Sequence, residues 1–219
     1  MSDSYPKDML EIEIEPGLYL GCEDSIYYVA KNNITAVISV VNIESANLSS
    51  PSIRQWLPEN RHIIITCLNP STIEIFNRLT DICNFIEEHH QNGRGNVLIH
   101  FMDDPLLSDM IITAYLMRRE QQSLLLTLIS KQNDYYNIKL NKNLMRQLII
   151  WEKVKYNPTL SYEEYLNTMD FSKADNHTIE YHLEVHNRSN IKNEVLNCAE
   201  ALDSHKALNS HKAFERRPN

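Results

Sequence analysis

The chain has 219 residues, of which 42% are hydrophobic and 23% charged, and its net charge is −8. This length predicts one domain with an appendage, and the composition is typical of a globular protein. The acidic balance argues against a general nucleic-acid binder and an electrostatic membrane anchor, because both need clustered lysine and arginine. No run approaches the roughly 20 apolar residues of a membrane span, and residues 1–15 contain no apolar signal segment. We therefore expect a soluble protein of the cytoplasm, the nucleus or both.

Strands and helices are predicted to alternate along residues 11–157. Continuous apolar runs such as 34–41 and 97–100 are typical of strands buried on both faces, and the helical segments each have an apolar stripe. This order indicates an α/β domain with a central, mostly parallel sheet of about four or five strands flanked by helices. The predicted elements, in chain order, are two strands at 12–20 around a turn at Pro16-Gly17, a helix at 24–31, strands at 34–41 and 61–68, a helix at 71–90, a turn at 92–96, a strand at 97–100, and helices at 108–120, 123–130 and 141–156.

The composition changes after Asn157-Pro158. Residues 158–219 are rich in Asn, His, Glu, Ser and Lys and contain few apolar residues, which is typical of disorder, although residues 191–205 keep a helical pattern. We expect an N-terminal extension at 1–10, a folded domain at 11–157, and a polar tail at 158–219 that is largely disordered or partly helical.

The four cysteines form no CxxC pair and no zinc-ligand spacing. Cys67 and Cys83 lie in apolar runs, where a free cysteine packs as a small hydrophobic residue. The cysteines, which are Cys22, Cys67, Cys83 and Cys198, therefore favour a reducing compartment.

One strand, loop and helix carry a resemblance to a known family. The strand 97–100, seven loop residues and the helix at 108–117 resemble the dual-specificity phosphatase signature, in which a strand ends in His-Cys, five residues follow, and Arg-Ser opens a helix. Such a loop points backbone N–H groups at one anion. The segments 16–21, 34–40, 85–87 and 138–148 resemble other motifs of the family in the same order, so that the resemblance covers about residues 11–156. It implies a dual-specificity phosphatase-like fold.

The resemblance places three catalytic roles on residues that cannot perform them. Phe101 stands at the position of the nucleophilic cysteine, Leu107 at that of the phosphate-binding arginine, and Asn69 at that of the general-acid aspartate. The chain is therefore similar to the STYX-type pseudophosphatases, which are catalytically inactive, and it differs from them in having lost the arginine as well. We expect no enzymatic activity.

The rest of the loop also disfavours phosphate. Asp103 and Asp104 place negative charge where a phosphate would sit, and Pro105 removes a backbone donor. Phe101 is interpreted either as part of the core or as an exposed anchor for a partner. The degenerate loop consists of His100, Phe101, Met102, Asp103, Asp104, Pro105, Leu106, Leu107 and Ser108.

Five polar residues in and beside the loop have competing interpretations. His100 is expected to be structural, as its equivalent is in the family, and not a base or a metal ligand. Ser108 is predicted to be the N-cap of the following helix. Asp103, Asp104 and Asp109 near His100 are chemically suited to a hard cation, but their spacing matches no metal-binding loop. We expect them to form a solvated acidic surface, and we expect no metal and no cofactor.

We therefore expect a non-catalytic binding, scaffold or competitor protein in phosphorylation-dependent signalling. By resemblance, its partner would be a kinase, a phosphatase or a phosphoprotein, with no nucleic acid and no membrane involved. Two alternatives stay open: a phosphatase family member with residual or relocated hydrolase activity, and a structural subunit of a constant complex. The sequence does not fix the oligomeric state.

Overall fold

The structure is a computed structural model with two compact units, Met1–Ser172 and Lys173–Asn219. The first unit contains all the helices and strands named below. No helix among the described residues is long and apolar enough to cross a membrane. The structure describes residues 11–22, 25, 33–42, 57–67, 75–90, 95–101, 105–130, 138–169, 176, 179–180 and 183–184.

A five-stranded sheet lies at the centre of the first unit, with the strand order β1-β2-β5-β3-β4. Strand β1 pairs antiparallel with β2, and the β2–β5, β5–β3 and β3–β4 pairs are parallel. The predicted mostly parallel sheet is confirmed. The strands are β1 (Glu11–Glu15), β2 (Leu18–Gly21), β3 (Ile34–Asn42), β4 (His62–Cys67) and β5 (Asn96–Phe101).

The two central strands explain the continuous apolar runs in the sequence. Ile38 of β3 lies opposite Ile99 of β5, and both side chains are fully buried, as are their neighbours Val37 and Leu98. Neighbouring residues on a strand point to opposite faces of the sheet, so both faces must be covered.

Five helices in the described part of the chain flank the sheet. Helix α2 is the most enclosed, because all its residues from Leu107 to Met117 are buried. Helix α1 instead buries one stripe, formed by Leu79, Ile82, Cys83 and Ile86. The helices are α1 (Leu79–His90), α2 (Leu106–Glu120), α3 (Leu124–Ser130), α4 (Lys142–Lys153) and α5 (Tyr162–Thr168), and short 3-10 helices occupy Glu59–Arg61 and Phe76–Arg78.

Several predicted elements differ from the structure or lie beyond its description. The helix predicted to start at 71 is regular only from Leu79, after the 3-10 turn that begins at Phe76. The predicted helix at 24–31 falls almost entirely outside the described residues, as does most of the predicted turn at 92–96.

Helix α5 lies in the segment predicted to be a polar tail. Ser161 caps this helix in a reciprocal capping box with Glu164. The rings of Tyr162 and Tyr165 are nearly buried and lie 5.8 and 5.7 Å from the ring of Phe76. Helix α5 lies within the unit Met1–Ser172, and a helix in this segment agrees with the expectation of a partly helical tail. Two tyrosines in a polar stretch give no helical period, so the sequence pattern does not reveal this contact.

Cys83 is a buried thiol of α1, as its apolar neighbours in the sequence predict. Burial raises the pKa of this thiol from 9.0 to about 12, although the nearby Arg118 guanidinium lowers it. The folded protein thus keeps the thiol protonated at a pH where the unfolded chain loses the proton. Stability from this group is complete below about pH 9 and is lost as the pH rises toward about 12.

The free energy of unfolding should therefore fall more steeply above pH 9 in the unaltered chain than in Cys83→Ala. The single thiol contributes a slope of up to about 1.4 kcal/mol per pH unit. Urea unfolding of both proteins across the alkaline range, with a reducing agent present, measures this difference. Parallel declines in the two proteins would show that Cys83 does not titrate differently on unfolding.

Candidate functional site

The predicted strand, loop and helix are present, with a shorter loop than the sequence predicts. Strand β5 continues to Phe101, and α2 begins at Leu106. The helix therefore starts before the predicted Ser108. The predictions made for Asn69, Met102, Asp103 and Asp104 concern residues outside the described part of the chain.

Phe101 is the last residue of β5 and lies opposite Val40 of β3. Its side chain is only 8% exposed, which agrees with its interpretation as a core residue and not with an exposed anchor. The carboxyl end of the central strand thus carries a buried aromatic ring. A ring at this point offers neither a nucleophile nor a hydrogen-bond donor.

Leu107 lies in the first turn of α2 and is fully buried. An anion held at a helix N-terminus gains from a bidentate arginine, because guanidinium N–H groups match two anion oxygens. Leucine supplies no donor and requires apolar neighbours. The first turn of α2 is therefore built around a hydrocarbon side chain.

Ser108 is not the N-cap of α2, so this prediction is wrong. The residue before the helix is Pro105, with φ −71°, and no side chain among the described residues caps the helix. Proline has a φ already suited to helix entry, so the helix begins earlier. Ser108 is fully buried in the first turn, and its Oγ has no hydrogen-bond partner among the described residues.

Asp109 does not belong to a solvated acidic surface, which corrects that interpretation. Its side chain is fully buried, and its Oδ2 accepts a hydrogen bond from the backbone N–H of Lys139 at 2.6 Å. The carboxylate thus joins α2 to the segment that leads into α4. The sequence does not reveal this, because the partner is a backbone group 30 residues away.

His100 lies within a polar chain that crosses three strands. Its Nδ1 is 3.3 Å from Ser39 Oγ, which in turn is 2.9 Å from His62 Nε2. His100 is 1% exposed and Ser39 is fully buried. This arrangement agrees with a structural role for His100. Sequence reasoning missed Ser39 and His62, because only the strand register brings them together.

Gln147 of α4 holds the start of the segment that leads into α1. Its Oε1 accepts hydrogen bonds from the backbone N–H groups of Ile75 and Phe76, at 3.1 and 3.0 Å. These N–H groups belong to the N-cap residue and to the first residue of the 3-10 helix, so neither has an acceptor within that helix. Four residues further along α4, Trp151 donates its indole N–H to the carbonyl of Ala114 in α2 at 3.1 Å. Helix α4 thereby fixes both helices that flank the site.

The described residues contain no group of three or more His, Cys, Asp or Glu side chains that could hold a metal ion. This finding covers only part of the loop, since residues 102–104 are not described.

Solved phosphatase structures share this arrangement of strands and helices. The human tyrosine phosphatase-like serine/threonine/tyrosine-interacting protein is 25% identical, with a TM-score of 0.58 over 67% of this chain and 98% of that one. The chain has a dual-specificity phosphatase-like fold. Human DUSP28 is 18% identical, with a TM-score of 0.55 over 69% of this chain and 98% of its own.

The phosphatase-like fold extends to a wider set of structures. The PTP-2 phosphatase of Cydia pomonella is 19% identical, with a TM-score of 0.55 over 64% of this chain and 88% of that one. No protein-family model matches the sequence, and no curated protein matches it. The predicted fold class is confirmed by the solved structures.

Proposed function

We propose that this chain is a non-catalytic pseudophosphatase, which binds a protein partner and does not hydrolyse phosphate esters. The observation that carries the proposal is the pair of buried hydrocarbon side chains, Phe101 and Leu107, at the two ends of the loop between β5 and α2. In the resembling family these two positions hold the nucleophile and the phosphate clamp.

Cysteine-dependent phosphoester hydrolysis needs three chemical contributions. A thiolate attacks phosphorus, an arginine holds the phosphoryl oxygens, and an acid protonates the leaving oxygen. Phe101 and Leu107 cannot provide the first two, and the amide of Asn69 cannot act as the acid. The proposal therefore rests on the absence of all three contributions at the matched positions.

The same fold supports binding in place of catalysis. One solved neighbour is described as a tyrosine phosphatase-like interacting protein, and it has the same fold. By this likeness, the partner would be a kinase, a phosphatase or a phosphoprotein in the cytoplasm or the nucleus. The chain would act there as a scaffold or as a competitor of active phosphatases.

Restoring the three family residues should not restore activity. In the triple variant Asn69→Asp, Phe101→Cys and Leu107→Arg, the carboxylates of Asp103 and Asp104 still repel phosphate, and Pro105 still lacks a donor. We expect hydrolysis of p-nitrophenyl phosphate to stay at the level of a matched triple variant with Phe101→Ser. Turnover that requires the cysteine would show that the loop still binds phosphate.

Affinity capture tests the binding role directly. The full chain should be compared with a chain that ends at Ser172, because ending it at Asn157 removes Tyr162 and Tyr165 from Phe76. A signalling protein that both chains retain supports the proposal and assigns binding to the first unit. Phosphatase turnover by the unaltered chain that one loop substitution abolishes would overturn the proposal in favour of relocated hydrolysis.

A further inference from the structure

Helix α4 presents a row of cations on the surface of an acidic protein. The whole chain has 21 Lys and Arg against 29 Asp and Glu. The segment 139–155 reverses this balance, with five basic residues and one acidic residue. Lys142, Arg146 and Lys153, spaced by four and seven residues, lie along one side of the helix, and we call them the α4 basic stripe.

The only acidic residue of α4, Glu152, uses its carboxylate in a hydrogen bond with α3 and not in an ion pair with Lys142 or Arg146. The Oε2 of Glu152 accepts a hydrogen bond from the backbone N–H of Leu124 at 2.9 Å, which links α4 to α3. Neither Lys142 nor Arg146 forms an ion pair or a side-chain hydrogen bond with any residue that the structure describes. Their charges are thus left uncompensated by the described fold.

The position of Lys142 opposes the stability of its own helix. Lys142 is the first residue of α4, and the first turn contains no acidic residue. A helix N-terminus has a partial positive charge, so a cation there costs about 0.3–1 kcal/mol relative to the favoured anion. The partial positive charge at the N-terminus of α4 and the charges of Lys142 and Arg146 therefore form one positive region.

The stripe begins three residues after a contact with the first turn of α2. Lys139, which precedes α4, is joined through its backbone N–H to Asp109 in the first turn of α2. From Lys142 to Lys153 the stripe extends about 16 Å at the helical rise per residue. Three cations over this length suit an extended peptide with several carboxylates, whereas a nucleic acid or a membrane surface requires a larger basic patch.

We propose that the α4 basic stripe docks an acidic segment of the partner protein. The inference deepens the proposed function and rests on it, since it assigns the binding surface of the non-catalytic protein. Charge complementarity supplies the recognition, and the partner is then held beside the first turn of α2. Binding of this kind weakens as salt screens the charges.

The test measures binding of a fluorescein-labelled oligoglutamate peptide to the full chain by fluorescence anisotropy at low and physiological salt. The double reversal Lys142→Glu and Arg146→Glu should weaken binding about tenfold or more. Lys142→Glu places an anion at the helix N-terminus, which offsets the repulsion between the two new carboxylates four residues apart, and circular dichroism of the double variant checks that it is folded.

A matched control is the double reversal Arg61→Glu and Arg78→Glu, which makes the same change in net charge on the two 3-10 helices and not on α4. We expect it to weaken binding by less than about twofold. Equal losses in the two doubles, absence of binding to the unaltered chain, or stronger binding to oligouridine RNA or phosphatidylserine vesicles would each overturn the inference.

The inference and the proposed function fail in different experiments. If the chain hydrolyses no phosphate ester and does not bind the peptide, the proposed function stands and the proposed docking surface is disproved. If the chain binds the peptide through the stripe and also hydrolyses phosphate esters, the docking surface stands and the non-catalytic function is disproved.

Discussion

Replacing Leu107 with arginine is expected to lower the free energy of unfolding by about 3–5 kcal/mol, the cost typical of a buried charge without a partner. Leu107 is fully buried in the first turn of α2, so the guanidinium must either stay buried or displace its neighbours. Urea unfolding, followed by circular dichroism, measures the loss.

Leu107→Met is the matched control, because it keeps an apolar side chain of similar volume and should cost less than about 1.5 kcal/mol. If the arginine variant were as stable as the methionine variant, the guanidinium would have access to water or to an anion. Added phosphate would then stabilise the arginine variant selectively, and the loop would retain an anion site.

Gln147→Met is expected to lower the free energy of unfolding by about 2–6 kcal/mol, because two buried backbone donors lose their acceptor at about 1–3 kcal/mol each. These donors are the N–H groups of Ile75 and Phe76. Methionine is similar in length to glutamine, so little of the loss comes from a cavity. Faster amide hydrogen exchange at Ile75 and Phe76 should accompany the loss.

Gln147→Glu separates the hydrogen bonds from the rest of the side chain. A carboxylate still accepts from both N–H groups, so this variant should keep the slow exchange at Ile75 and Phe76 better than Gln147→Met does. Unchanged exchange in the methionine variant would mean that another acceptor replaces Gln147 and that the glutamine is dispensable.

The sheet was predictable from the sequence because its central strands are buried on both faces. Runs such as 34–41 and 97–100 are apolar at most positions, with no alternation of apolar and polar residues, and this pattern indicates strands at the centre of a parallel sheet. The loop between β5 and α2 was located by the resemblance of residues 97–117 to the dual-specificity phosphatase signature. The physical reason is that strand, turn and helix are local features, and local patterns specify them.

The contacts that arise from tertiary packing were not predictable. Asp109 looks like an ordinary surface aspartate, yet the backbone of Lys139 makes its burial favourable. Ser108 has a residue type suited to a helix cap, but Pro105 starts the helix earlier. Tyr162 and Tyr165 stand alone in a polar segment and are buried only because Phe76 offers them an aromatic surface.

The bond from Gln147 to Ile75 also bears on how the protein is made. These residues are 72 positions apart in the chain. During synthesis from the N-terminus, the backbone N–H groups of Ile75 and Phe76 emerge from the ribosome well before Gln147 does. The segment that leads into α1 can therefore form these hydrogen bonds only after α4 has been synthesised. A chain that ends between Phe76 and Gln147 leaves the two amides without this acceptor.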